Sequence, residues 1–276
     1  MKVKGIVSTI LLFCCCTLST GQDYALGVRA QAMGGSGVAF ATDPEGQLVN
    51  PALPAELAGW AATVFYSHPF GIREIALSSL CLHGRLDKIA CGAAVIRLAH
   101  EYFEDQFYQL TFARSFALPN KQGTRHLACG LQAMLREIHI PNYGKARAFI
   151  ANLGCTARLN DHFTWGAKLG NLFNGKIGKA AEPLPREMSM GLGYMPKAGA
   201  VFQLDFYKES DFPLEVRGGI EYRVLSPLSL RMGISTSPDR LTCGLALWLR
   251  PAVLHVTAFS HPDLGWTQQY AVTLCK

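Results

Sequence analysis

Histidine and cysteine are the side chains best able to do covalent or acid–base chemistry, and in this sequence of 276 residues their spacing argues against both. Of the eight histidines, His68, His83, His100, His126, His139, His162 and His261 fall mainly at the ends of apolar runs or in turns, and only His255 falls mid-run. A nucleophile and its base must converge in one place, and this pattern predicts no such meeting. Cys14, Cys15 and Cys16 lie in an apolar leader, while Cys81, Cys91, Cys129, Cys155, Cys243 and Cys275 stand singly inside alternating apolar segments. Zinc sites and small disulfide scaffolds need clustered cysteines. The expectation is therefore a protein that is not an enzyme and holds no metal or cofactor.

What the sequence does offer is ionic. Arg136, Lys168, Asp205, Glu215, Arg217, Glu221, Arg223 and Arg231 each occupy the polar phase of a run whose other phase is apolar. From Leu214 to Val224, the residues Leu214, Val216, Gly218, Ile220, Tyr222 and Val224 take one face, and Glu215, Arg217, Gly219, Glu221 and Arg223 take the other. A period of two is that of a β-strand. The division recurs at 127–136, 149–159, 163–169 and 241–250. Such charges would line or latch an interior, or simply fill it with ion pairs.

The elements that must carry these charges are predicted over 59–70, 74–86, 88–101, 106–118, 124–139, 145–159, 162–173, 187–196, 200–209, 213–224, 228–236, 240–250, 252–260 and 265–275. In 88–101 either face could be the apolar one. Connections near 86–88, 119–123, 160–161, 196–199, 226–227 and 250–251 are short, and they alternate with connections that include the one long stretch, 174–186. That parity suits an outer-membrane barrel with short inner turns. A soluble sandwich would have to seal the edges of two large sheets, whereas a closed barrel in lipid has none.

Composition agrees. The chain is 49% hydrophobic and 17% charged, with mean hydropathy +0.15, which excludes disorder and coiled coil. Its net charge of +6 includes Lys2 and Lys4 of the leader and is too dispersed to suggest nucleic acid. Residues 1–21 read as a signal peptide: two lysines, an apolar run, then the small residues Ser19, Thr20 and Gly21 before the cleavage point.

Between leader and first strand the stretch Tyr24–Leu57 is rich in small residues and does not alternate. Gly34, Gly35 and Gly37 allow tight backbone geometry, and Asn50-Pro51 favours a turn. A segment this apolar belongs inside the barrel, which gives a hatch over 22–58 and a barrel over 59–276. The run Gly27-x-Arg29-Ala30-x-Ala32-Met33-Gly34-Gly35-x-Gly37-Val38-Ala39, then Asp43 and Asn50-Pro51-Ala52-Leu53, resembles the FadL-type outer-membrane transporters and their PorV/PorQ relatives. The stretch Ser260 to Thr267 is similar to that family's last hairpin. The resemblance implies a fourteen-stranded barrel with an N-terminal hatch, in which Gly27, Arg29, Met33, Gly34, Gly35, Gly37, Asp43, Asn50, Pro51 and Ala52 form the hatch motif. This chain departs from the family in its shorter outer loops and in a final strand that ends Thr273-Leu274-Cys275-Lys276 rather than on an aromatic residue.

Two functions follow as expectations. One is passive passage of a hydrophobic small molecule past the hatch, in the outer membrane of a Gram-negative bacterium with lipid as the surrounding partner. The other, implied by the PorV/PorQ resemblance, is an accessory role in type IX protein secretion, with secretion-system proteins as partners.

Overall fold

The computed structural model describes residues 27–120, 123–197, 199–261 and 264–276. The expected signal peptide with its cleavage point near Gly21, the first five residues of the expected hatch, and Pro262-Asp263 of the family-like hairpin lie outside the described residues.

Alternation produces strands at β1 (Ala61–His68), β2 (Ala76–Leu86), β3 (Ile89–His100), β4 (Phe103–Asn120), β5 (Gly123–Ile140), β6 (Gly144–Arg158) and β7 (Phe163–Gly170). After a two-residue pair, β8 (Lys176–Ile177) with β9 (Glu182–Pro183), come β10 (Glu187–Lys197), β11 (Ala200–Glu209), β12 (Glu215–Leu225), β13 (Leu228–Thr236), β14 (Asp239–Leu249), β15 (Ala252–His261) and β16 (Gly265–Cys275). All of these except β8 and β9 form one closed antiparallel barrel of fourteen strands. Closure is made by β1 and β16, in register from Ala61↔Cys275 to His68↔Gln268. Every expected strand is present with ends within three residues of those read from the sequence.

The barrel is inside-out relative to a soluble protein. Thr63, Thr111, Gln132, Asn152, Gln203, Thr257 and Gln269 are buried in the lumen, while Val64, Leu110, Leu131, Phe149, Ile220 and Ile234 stand exposed on the outside. A belt of Leu, Val, Ile and Phe around a closed ladder is satisfied by hydrocarbon rather than water, and closure leaves no backbone edge unpaired there. No helix among the described residues is long and apolar enough to cross a membrane.

The undecided segment, 88–101, is resolved by burial. Ala90, Ala94 and Ile96 face inward and Ile89 and Val95 outward, so both faces of β3 are apolar. Of the inward ones, Ala94 and Ile96 join Val28 and Leu48 of the N-terminal segment in one cluster with Phe65, Leu77, Cys81 and Phe107. All six cysteines among the described residues are free and lie on strands.

Candidate functional site

Residues 27–57 cross the lumen as short pieces: a helical turn Val28–Ala32, a second at Gly46–Val49 and a 3-10 turn at Leu53–Glu56. They touch wall strands on opposite sides of the barrel, and facing glycines allow it. Gly219 and Gly233 are register partners on β12 and β13; a Cβ on Gly219 would run into Met33 and Ser36, and one on Gly233 into the backbone of Met33 and Gly34. Gly130 and Gly154, partners on β5 and β6, lie in the same way against Asn50 and Pro51. Two flat patches thus hold the two ends of the segment.

Hydrogen bonds fix its register. Gly34 N donates to Thr242 Oγ1 at 2.9 Å, and that hydroxyl donates to Ala32 O at 3.0 Å. Asn50 Nδ2 donates to Val38 O at 2.7 Å and to Cys155 O at 3.1 Å, while Asn50 Oδ1 accepts from Ala52 N. Gly27 and Gly34 have φ of +83° and +71°, the left-handed region that favours glycine. Ala52 packs with Ala55, Ala90, Ala113 and Ala128, small against small.

The ionic centre joins this segment to the wall. Arg29 Nε donates to Glu221 Oε2 at 2.8 Å, and Arg231 Nη2 to Glu221 Oε1 at 3.1 Å, so one carboxylate answers two buried guanidiniums. Arg231 is a donor only, so His255 Nδ1 accepts from it at 3.0 Å and Nε2 carries the proton toward Thr273 Oγ1. Asp205 Oδ2 accepts from Gly37 N at 2.6 Å and Val38 N at 2.9 Å. Glu45 Oε2 accepts from Val28 N at 3.0 Å. Burial pushes the Glu45 carboxyl up to about 8, helped by the neighbouring Asp43. Asp43 is likewise raised by burial, against the opposing pull of Arg29.

Two cavities flank the segment. The one toward the long connections is narrow, about 60 Å³, on the order of a few waters. Val38, Leu48, Ile96, Phe107, Met134, Ile150 and Leu184 make its apolar side, and Lys168, Glu187, Asp205 and Arg217 its polar side. Leu184 comes from the long outer connection, held over the lumen by Asn171 Nδ2 donating to Leu184 O at 2.8 Å. The other cavity, about 380 Å³, opens toward the short turns and is lined by Phe40, Thr42, Lys197, Glu221, Arg223 and Trp248. Val38 therefore borders one space and Phe40 the other, with Ala39 between them.

The remaining charges named from sequence fall into pairs. Arg136 binds Asp105 through both Nε and Nη2, at 3.1 and 2.7 Å. Lys168 meets Glu187 at 2.9 Å, and Arg217 meets Glu215 at 2.7 Å while lying 4.0 Å from the Tyr207 ring centroid. Arg223 differs from its expected place in the ionic interior. It has the inward phase but sits at the end of β12, exposed, with its guanidinium 4.8 Å from the Trp248 ring centroid. Parity gives the face of a residue but not its depth. Sequence reasoning missed Asp105, Glu187, Glu45, Thr242 and the apolar lumen wall. Inward phase would have marked Thr242 and Asp105, whereas Glu45 carries no periodic signal.

No protein-family profile matches the chain, and no curated protein matches it. Solved structures do. The CymD monoaromatic hydrocarbon channel superposes with a TM-score of 0.64 at 13% identity, covering 91% of this chain and 98% of that one. The Pseudomonas putida toluene transporter TodX gives 0.58 at 12% identity, covering 90% and 96%. A Pseudomonas aeruginosa FadL homologue gives 0.58 at 11%, covering 90% and 97%. At these identities the likeness is one of fold, and it runs over about nine-tenths of this chain.

Proposed function

We propose that this chain is an outer-membrane channel that lets a small hydrophobic molecule pass by displacement of the stretch Gly37–Phe40. The observation that carries this reading is the pair of cavities divided at Val38 and Phe40. Five hydrogen bonds tie the stretch down: Asp205 accepts from Gly37 N and Val38 N, Val38 O accepts from Asn50 Nδ2, and Phe40 O accepts from Arg29 Nη1 at 3.1 Å and Gln203 Nε2 at 3.0 Å. Each of these ties involves a side chain and none belongs to the barrel ladder, so the stretch can rearrange locally while the ladder stays intact. In this reading the N-terminal segment is the hatch. The apolar wall of Ile96, Phe107, Met134 and Ile150 receives the cargo from outside. The like-folded CymD monoaromatic hydrocarbon channel and TodX toluene transporter support a cargo of that size and polarity.

Asp205→Ala removes the acceptor of two buried N–H groups, each worth about 1–3 kcal/mol when left unpaired. In liposomes carrying the variant, toluene should enter faster than through the unaltered chain. Equal entry rates for the variant and for protein-free liposomes would overturn the reading. In cells, a deletion strain that takes up hydrophobic compounds normally but loses secreted proteins would favour the type IX secretion role instead.

A further inference from the structure

On the outward face the two ends of the barrel treat their cations differently. At the end with the long connections, Arg97 pairs with Glu104, and Glu137 takes both Lys145 at 2.7 Å and Arg147 at 2.6 Å. At the end with the short turns, rings take the place of carboxylates. Arg114 lies 5.2 Å from the Phe116 ring centroid, and Lys197 5.6 Å from that of Tyr222. Phe116 and Tyr222 are themselves exposed on the outside. In the β4–β5 ladder Phe116 faces Leu127 and Leu118 faces Arg125, so Arg125 is diagonal to Phe116, within reach of the same stretch of outer surface as Arg114.

A carboxylate occupies the N–H edge of the arginine it pairs with, whereas a ring contacts the guanidinium face and leaves that edge open to an oxyanion. Arg114 is also where the β3 ladder ends, paired with Ile89, which puts it at the barrel rim. Cationic groups beside exposed aromatic rings at a membrane boundary suit lipid phosphates. We propose that Arg114, Phe116 and Arg125 bind the head group of an anionic phospholipid in the leaflet at the short-turn end, with Lys197 and Tyr222 forming a second such site. A zwitterionic head group is a poorer ligand because its own ammonium competes for the phosphate.

The inference rests on the membrane-channel reading, and the test separates the two. The detergent-solubilised full-length chain is mixed with equimolar phosphatidylglycerol and phosphatidylethanolamine of matched acyl chains, and retained lipid is counted by native mass spectrometry. Phosphatidylglycerol should be favoured about five-fold or more, the ratio for one engaged cation at a charged surface. In Arg114→Gln/Arg125→Gln the preference should fall toward that of the Lys197 site alone, and adding Lys197→Gln should abolish it, while Arg147→Gln leaves it unchanged. Compact, heat-sensitive migration in SDS gels identifies folded variants. Equal retention of the two lipids by the unaltered chain, or an unchanged preference in the triple variant, overturns the proposal. Displacement of phosphatidylglycerol by millimolar inorganic phosphate would assign a free-anion site and overturn the lipid assignment. A chain that stays soluble without detergent would overturn the membrane reading itself.

Discussion

Arg29 and Glu221 are 192 positions apart in the sequence and meet through Nε at 2.8 Å and Nη2 at 2.7 Å from a single carboxylate oxygen. The other oxygen of Glu221 holds Arg231. Glu221→Gln therefore leaves two buried guanidiniums uncompensated, which typically costs about 3–5 kcal/mol. Arg29→Met should cost less, because Glu221 keeps Arg231. Thermal unfolding followed by gel migration should rank the variants in that order. If Arg29→Met proved the more damaging, the network would not be centred on the carboxylate.

Packing gives a second handle on the same segment. Any side chain at Gly233 must occupy space held by the Met33 and Gly34 backbone, and backbone pinned by Thr242 on one side cannot yield easily. Gly233→Val should expel the N-terminal segment while the ladder between β12 and β14 persists. Ion conductance in planar bilayers should rise with barrel migration unchanged. Deletion of 27–49 should raise conductance further, and a closed Gly233→Val channel would mean that the segment does not block the path.

On the opposite face, Leu245 is exposed between Leu230 and Val256 of the neighbouring strands. Leu245→Arg should cost about 2–4 kcal/mol near the bilayer midplane. Inward-facing Thr242 replaced by Arg would instead collide with Ala32 and Gly34 and act on the segment. Urea titration in vesicles should show the loss for Leu245→Arg even when residues 27–49 are deleted.

How much of this was legible depends on whether the two faces of a strand differ chemically. In β12 they do: Glu215, Arg217 and Glu221 oppose Val216, Ile220 and Tyr222, and the inward set is the one that the alternation assigns. In β3 they do not, because Ala94 and Ile96 line an apolar lumen against Leu48 and Phe107. No pattern in 88–101 alone could reveal Leu48 as a neighbour, because it lies outside that window, in the N-terminal segment. Partners were less legible than faces. The phase of Glu221 is local, but its joint hold on Arg29 and Arg231 depends on where a non-periodic segment comes to rest. Depth was the third gap, as Arg223 shows by reaching the mouth rather than the interior.

Acidity supplies the last prediction. Glu45 is buried, with Oε2 taken by Val28 N and Oε1 left without a partner, and its carboxyl is pushed up to about 8 from an ordinary 4.5. The protonated form is thus favoured when the segment is docked, and the ionised form once water reaches it. A raised carboxyl contributes stability that is fully present below about 4.5 and is lost as pH rises toward 8. Asp43, also raised by burial, acts in the same direction. Docking should therefore be tightest in acid, and conductance in planar bilayers should increase between pH 5 and pH 9. Glu45→Gln, neutral throughout and still able to accept from Val28 N, should flatten most of that rise and leave the residue that belongs to Asp43. A pH profile identical to that of the unaltered chain would show that Glu45 is already ionised beside Val28, and that the docked segment tolerates the charge.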